Sequence, residues 1–191
     1  MKKTAVGFLS LILCFCCSCA SPAAVSSNSG EVHLQEALVN SFNLQWFEDC
    51  CRFQDFVKKA AGPTDEKTAE YLLGYIDSDS NAQPKYINII FTSQKGLKKP
   101  VLPQTLNQSF ADFFTAKTKF QENLKTCLQQ TKHLPVDSSF QQNTQELASL
   151  SDDLFVRINE IQGGDGLTKF QKTLEHAAEC MNAAFPDSVS K

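Results

Sequence analysis

Four cysteines of the chain lie well beyond its apolar N-terminus: Cys50, Cys51, Cys127 and Cys180. In an oxidising compartment, thiols of this kind form disulfides that persist. Since a bridge between neighbouring residues of one helix is strained, we expect Cys50 and Cys51 each to pair with Cys127 or Cys180. Buried free thiols are the main alternative, followed by cross-links between molecules, redox chemistry and metal binding. The four residues form no C-x-x-C motif, which argues against a thioredoxin-like role.

His176 and Cys180 are four residues apart, so a helix would place them on one face. Helical metal sites use ligand pairs spaced by three or four residues, and His33 and Glu36 are also spaced in this way. Two ligands do not define a site, so His176 and Cys180 are metal candidates only, and we predict no cofactor. The sequence has neither a G-x-S-x-G turn nor a glycine-rich phosphate loop. We therefore predict no catalytic residues and a protein that is not an enzyme.

The N-terminus has the three parts of a secretory signal peptide. Lys2 and Lys3 precede an apolar stretch over about residues 5–17, and small residues follow it. The apolar stretch is shorter than the roughly 20 residues that a permanent transmembrane helix needs. We therefore predict a signal peptide over residues 1–18, cleaved before Cys19 or after Ala20, and export of the rest.

The residues Cys16-Cys17-Ser18-Cys19 resemble the lipobox of bacterial cysteine-rich lipoproteins, although Cys16 stands where the motif usually has Leu. This resemblance covers only the first twenty residues, and it implies lipidation of Cys19, with palmitate among the acyl chains. Residues 19–30 are mostly small and polar and would form a flexible tether. The expected location is the cell envelope, on the outer membrane or facing the periplasm, with the lipid as membrane anchor. Free secretion is the alternative.

The rest of the chain is long enough for one domain with a substantial core. Of the 191 residues, 42% are hydrophobic and 20% are charged, and the net charge is −3. Loss of Lys2 and Lys3 with the signal peptide makes the mature chain more acidic, which argues against nucleic acid as a partner. Fifteen Phe, against three Tyr and one Trp, predict a phenylalanine-rich core.

The spacing of apolar residues predicts an all-α fold, an elongated bundle of about four to five helices. The first helix is expected over residues 31–61, with a break near 40–43 and an end at Gly62-Pro63, where the glycine would be left-handed. Its apolar stripe consists of Phe42, Trp46, Cys50, Phe53 and Val57.

A shorter helix is expected over residues 64–76, with Thr64 as its N-terminal cap. Residues 86–92 (YINIIFT) are β-branched or aromatic and predict one short strand-like segment. The remaining helices are expected over 105–132, 138–163 and 166–184, with caps at Thr105, Ser138 and Asp165. The whole helical domain then covers 31–186, and a C-terminal tail covers 187–191.

Three functions fit these features. The first, which the signal, the tether and the lack of a catalytic set favour, is an envelope-tethered, non-catalytic binding or scaffolding module that meets a protein of the envelope or of a host. The second is a soluble periplasmic or secreted carrier of an apolar ligand. The third is a metal-binding protein that uses His176 and Cys180. The side chains that would line the carrier's cavity are Phe110, Phe113, Phe114 and Phe120.

Overall fold

The computed structural model describes residues 27–63, 65–79 and 85–186. Within these residues the protein has seven α-helices and no strand, which confirms the all-α class but exceeds the expected number of helices. The predicted signal peptide, the lipidation site at Cys19 and the C-terminal tail lie outside the described residues. The helices are α1 (Ser27–Ala60), α2 (Glu66–Asp79), α3 (Lys85–Ser93), α4 (Leu106–Thr131), α5 (Ser138–Leu150), α6 (Ile158–Ile161) and α7 (Gly164–Ala183).

Helix α1 is continuous, so the break expected near residues 40–43 is wrong, and its start at Ser27 lies inside the predicted tether. The Asn43 side chain does not interrupt the helix, because its Oδ1 accepts a hydrogen bond from the Ile158 amide at 2.9 Å. The predicted apolar stripe is confirmed, since all five of its residues are buried. The helix ends in a tight turn, in which the Gly62 amide donates to the Lys59 carbonyl at 3.1 Å, and Gly62 is not left-handed.

Residues 86–92, predicted as strand-like, lie in helix α3, so that prediction is wrong. The helix buries Tyr86, Ile87, Ile90 and Phe91, a spacing that forms one helical face, and this face packs against α1. A preference of β-branched and aromatic residues for strands mainly reflects how well they fit a half-buried surface. Helix α3 offers them such a surface, so tertiary packing overrides the local preference.

Three of the predicted helix caps, Thr105, Ser138 and Asp165, are wrong in register or in kind. Thr105 makes no capping hydrogen bond with its side chain. Helix α5 is capped by Asp137, one residue before Ser138, and α7 begins before Asp165. The start of α2 is capped by Asp65, whose Oδ1 accepts an amide of the first turn at 2.7 Å, whereas Thr64 lies outside the described residues.

The helix predicted over 138–163 is interrupted, because α5 ends at Leu150 and a 3-10 turn follows at Ser151–Leu154. The Trp46 indole N–H donates to the Leu154 carbonyl at 2.7 Å, and the Cys50 thiol donates to the same oxygen at 3.4 Å. These bonds from α1 occupy a carbonyl that a continuous helix would use internally, so the chain leaves the helical path here.

An aromatic core joins α1, α4 and α7. The Trp46 ring meets Phe110, Phe113 and Phe170 edge to face, with centroids 5.4–6.2 Å apart. Such pairs add to the hydrophobic gain from burial, and the phenylalanine-rich core expected from composition is present. No described helix combines the length and the apolar character that a membrane span requires.

Candidate metal centre

Helices α5 and α7 pack side by side and run antiparallel. Near the start of α5, the Ser139 hydroxyl donates to the carbonyl of Ala183, at the end of α7, at 2.8 Å. Seven residues further along α5 stands Glu146, and seven residues back along α7 stands His176. Because both helices rise by the same distance per residue, this register places Glu146 level with His176.

Glu146, His176 and Cys180 form a cluster between these two helices. The His176 Nε2 atom lies 3.0 Å from the Glu146 Oε1 atom. One ligand atom from each of the three residues lies within 4.8 Å of the other two. Across residues 27–63, 65–79 and 85–186 this is the one such group of His, Cys, Asp or Glu side chains. The structure thus brings the sequence-predicted pair together with a third ligand from another helix.

The cluster has a buried end and a solvent end. Cys180 is only 3% exposed, whereas the side chains of His176 and Glu146 are 46% and 43% exposed. Burial, together with the negative charges of Glu146 and Glu179, raises the pKa of the Cys180 thiol to about 11. The thiol is therefore protonated at neutral pH unless a cation binds beside it.

Two kinds of chemistry use a Cys, a His and a carboxylate in contact. In covalent catalysis they act as nucleophile, base and orienting acid, but reactive cysteines have a lowered pKa in electropositive surroundings. Cys180 has the opposite environment, with carboxylates nearby and a raised pKa. A divalent cation would offset the negative charges of the Glu146 and Glu179 carboxylates and displace the proton of the Cys180 thiol. The arrangement therefore suits metal binding.

The donor atoms indicate a transition metal. Calcium and magnesium take oxygen ligands, whereas zinc accepts Cys sulfur, His nitrogen and carboxylate oxygen. With zinc-to-ligand bonds of about 2.0–2.3 Å, two ligands on a tetrahedral ion lie about 3.5 Å apart. The Glu146 and His176 atoms, 3.0 Å apart, already lie near this separation, and since all three ligand atoms lie within 4.8 Å of one another, no pair is more than about 1.3 Å too far apart for zinc.

The four cysteines are free thiols in the structure, so the predicted bridges from Cys50 and Cys51 to Cys127 or Cys180 are not formed. Neighbouring residues of a helix face different directions, and here Cys50 is buried in the core while Cys51 is exposed. Cys127 is half-buried on α4, and Cys180 belongs to the cluster with Glu146 and His176. Each thiol therefore has its own surroundings, and no bridge pins α1 to α4 or α7.

Three of the four phenylalanines proposed to line a cavity, Phe110, Phe113 and Phe120, are buried in the core. Phe110 and the partly buried Phe114 also line a groove of about 450 Å³ between α3 and α4. The other histidine pair from the sequence, His33 with its carboxylate three residues later, is exposed at the start of α1, with the nearest atoms 3.8 Å apart.

The sequence does not indicate Glu146 as a ligand. It lies thirty residues before His176 on a different helix, and spacing rules apply only within one helix. Its position just before the buried Leu147 places it at the edge of the packed face of α5, which is a weak signal.

Comparison with protein-family models, with curated proteins and with solved structures found no match to the chain.

Proposed function

We propose that the protein is an exported, envelope-attached, non-catalytic binding module whose ligand is a divalent transition metal ion. One observation carries this proposal: three different donor atoms, from Glu146, His176 and Cys180, lie within 4.8 Å of one another. Export and lipid attachment rest on the sequence of residues 1–20. The elongated bundle expected from the sequence would present the metal centre on a rigid pair of helices.

Zinc is the ion that the ligand set fits best. Cys180 would bind as thiolate, His176 through a ring nitrogen and Glu146 through a carboxylate oxygen. Zinc sites with three protein ligands keep a fourth position for water or another molecule, whereas structural sites are closed by four protein ligands. The proposed centre is therefore of the open kind.

Cobalt(II) titration tests the proposal, because a thiolate bound to cobalt gives strong near-ultraviolet absorption and tetrahedral cobalt absorbs in the visible. We expect one equivalent of cobalt per chain, with both signals, and displacement by zinc. Cys180→Ser should remove the near-ultraviolet signal, whereas Cys51→Ser, which changes an exposed thiol on α1, should leave it unchanged. A protein that gives no thiolate signal, or gives the same signal with Cys180→Ser, would refute the proposal.

The two remaining ligands provide a second test. Glu146→Gln and His176→Asn each remove one donor to the ion. Each should weaken zinc binding by more than the about 10- to 100-fold that loss of an outer-shell partner costs. Gln145→Ala changes an exposed neighbour of Glu146 and should leave the affinity unchanged. Circular dichroism of each variant checks that the helices are intact.

The groove between α3 and α4 supports a second candidate function, the carriage of a small apolar ligand. Its apolar wall is formed by Ile87, Phe110, Ala111 and Phe114, and its volume falls within the about 300–1,000 Å³ of small-molecule sites. Native mass spectrometry of the purified protein should show a bound lipid, and Ala111→Trp, which fills the groove from its exposed side, should remove it. A mass without ligand would contradict this function.

A further inference from the structure

We infer that the centre holds its ion exchangeably and gives it to an acceptor that supplies the fourth ligand, so that the protein acts as a metal donor in the envelope. This inference rests on the proposed function, since it requires that Glu146, His176 and Cys180 bind zinc. It adds a direction of transfer and a class of partner, a protein that presents a free thiolate or imidazole.

The number of ligands is the first reason. No fourth His, Cys, Asp or Glu side chain joins the cluster in the described parts of the chain. A tetrahedral ion bound here therefore has one position that no clustered side chain fills, and water would take it. An incoming donor atom can bind to the ion at that position before any protein ligand leaves.

The orientation of the cluster is the second reason. The two ligands from the solvent side, Glu146 and His176, are each nearly half exposed, while Cys180 is buried behind them. An acceptor arriving from solvent therefore approaches the ion from the side of the two exposed ligands. The buried thiolate keeps the ion attached until the acceptor has replaced the carboxylate and the imidazole.

The transfer itself is an exchange of ligands. A lone pair of the acceptor forms a bond to zinc as water leaves, and further donor atoms of the acceptor or of solvent then replace Glu146, His176 and finally Cys180, one bond formed for each bond broken. Zinc departs as the divalent ion, so no electron is transferred, and the Cys180 thiolate takes a proton from solvent. Because the acceptor binds before release, the rate of transfer depends on the acceptor.

Stopped-flow transfer of zinc to the chromophoric chelator 4-(2-pyridylazo)resorcinol (PAR) tests this. The mature protein, purified from the membrane fraction, is loaded with one equivalent of zinc and mixed with PAR at several concentrations. We expect the observed rate to rise in proportion to the PAR concentration. A loaded protein whose release rate is the same at every PAR concentration would overturn the inference and leave the proposed function standing.

A variant that adds a fourth ligand to the site provides a second test of the inference. Gln142 is exposed on α5, one turn before Glu146, and the α5–α7 register places it level with Cys180. Gln142→His should supply the fourth ligand, slow zinc release by at least about tenfold and make it independent of PAR. Gln141→His, at an exposed residue five positions before Glu146, places an imidazole on another face of α5 and should behave as wild type.

The outcomes separate the two proposals. A wild-type chain that takes up no zinc overturns the proposed function and this inference with it. A chain that binds zinc but shows no acceptor dependence overturns the inference alone. Equal transfer rates for wild type, Gln142→His and Gln141→His, each carrying one zinc, would also overturn it, because the fourth position would then not control release.

Discussion

Asp79 and Lys117 form a buried ion pair between α2 and α4, and Lys117→Met is expected to destabilise the fold by about 3 kcal/mol. The Lys117 ammonium lies 2.7 Å from the Asp79 carboxylate, with side-chain exposures of 11% and 5%. Methionine fills the volume of the lysine stem but leaves the carboxylate without its closest cation. The burial of that uncompensated charge is the physical cause of the loss.

The partners that Asp79 keeps in Lys117→Met determine the size of the stability loss. Loss of one member of a buried ion pair costs about 3–5 kcal/mol. In Lys117→Met the carboxylate still accepts a hydrogen bond from Gln121 at 2.8 Å and lies 3.5 Å from the half-exposed Arg52. These partners place the expected loss at the low end of the range, about 3 kcal/mol.

Urea unfolding at pH 7 measures the effect. With a slope of about 2 kcal/mol per molar urea, the variant's midpoint should fall by about 1.5 M. Adding Asp79→Asn should restore most of the loss, because the buried charge is removed with its partner. Lys125→Met is the matched control, since it breaks an ion pair of the same kind to the exposed Asp77, and it should cost less than about 1 kcal/mol.

The pKa of Asp79 determines how the stability loss in Lys117→Met changes with pH. Burial alone would raise the pKa of Asp79, but Lys117, Gln121 and Arg52 outweigh it and hold that pKa below its usual range. In wild type the pair's stability is therefore complete above about pH 4 and is lost as the pH falls through the lowered pKa. In Lys117→Met, burial raises the pKa of Asp79, so acidification neutralises a costly charge. The difference in unfolding free energy between wild type and Lys117→Met should thus become smaller as the pH falls from 7 to 4.

The pKa of Asp49 contributes to the same pH dependence of the stability difference. Burial raises its pKa in wild type, although the Tyr86 hydroxyl donates to it at 2.8 Å, and the charge of Lys117 lowers that pKa. Removal of Lys117 therefore adds to the narrowing. A Lys117→Met variant that loses less than about 1 kcal/mol at pH 7, or whose deficit grows on acidification, would refute the reasoning that a buried carboxylate depends on this cation.

Zinc at 100 times its dissociation constant should stabilise the fold by about 2.7 kcal/mol and raise the melting temperature by about 5–11 °C; differential scanning fluorimetry checks this, and an equal rise in Cys180→Ser would contradict it. Trp46→Phe removes the indole donor to the Leu154 carbonyl and should lower the free energy of unfolding in urea by about 1–3 kcal/mol; an unchanged free energy would show that this hydrogen bond does not stabilise the fold. Alkylation of the native protein under non-reducing conditions, read by mass spectrometry, should modify the exposed Cys51 first and spare Cys50 until the chain unfolds; a Cys51 that resists alkylation until reductant is added would favour the disulfide instead.

Periodicity predicted those parts of the fold in which one helix face meets one core. The stripe on α1 from Phe42 to Val57 is buried as expected, and α4 ends at Thr131, close to the predicted end. In these segments local preference and tertiary burial favour the same structure, so a sequence pattern is sufficient.

Prediction failed where distant residues decide the local structure. The break after α5 depends on donors from Trp46 and Cys50, more than one hundred residues earlier in the chain. The start of α6 uses Asn43 of α1 in the same way. Gly166, in the first turn of α7, serves a contact between two helices, because a Cβ atom there would lie 2.0 Å from the carbonyl oxygen of Glu160 in α6. None of these contacts can be read from spacing within one segment.

The metal cluster shows the same division between local and distant information. The pair on α7 follows from helical spacing, but the third ligand depends on the register of α5 against α7. That register is fixed by the Ser139 hydrogen bond and by the Phe140 and Phe185 rings, whose centroids are 5.4 Å apart. A slip of one turn would move Glu146 by about 5.4 Å, beyond reach of a shared ion. An ion bound to both helices, as proposed, would therefore stabilise the register that creates its site, and metal binding would be coupled to the docking of α5.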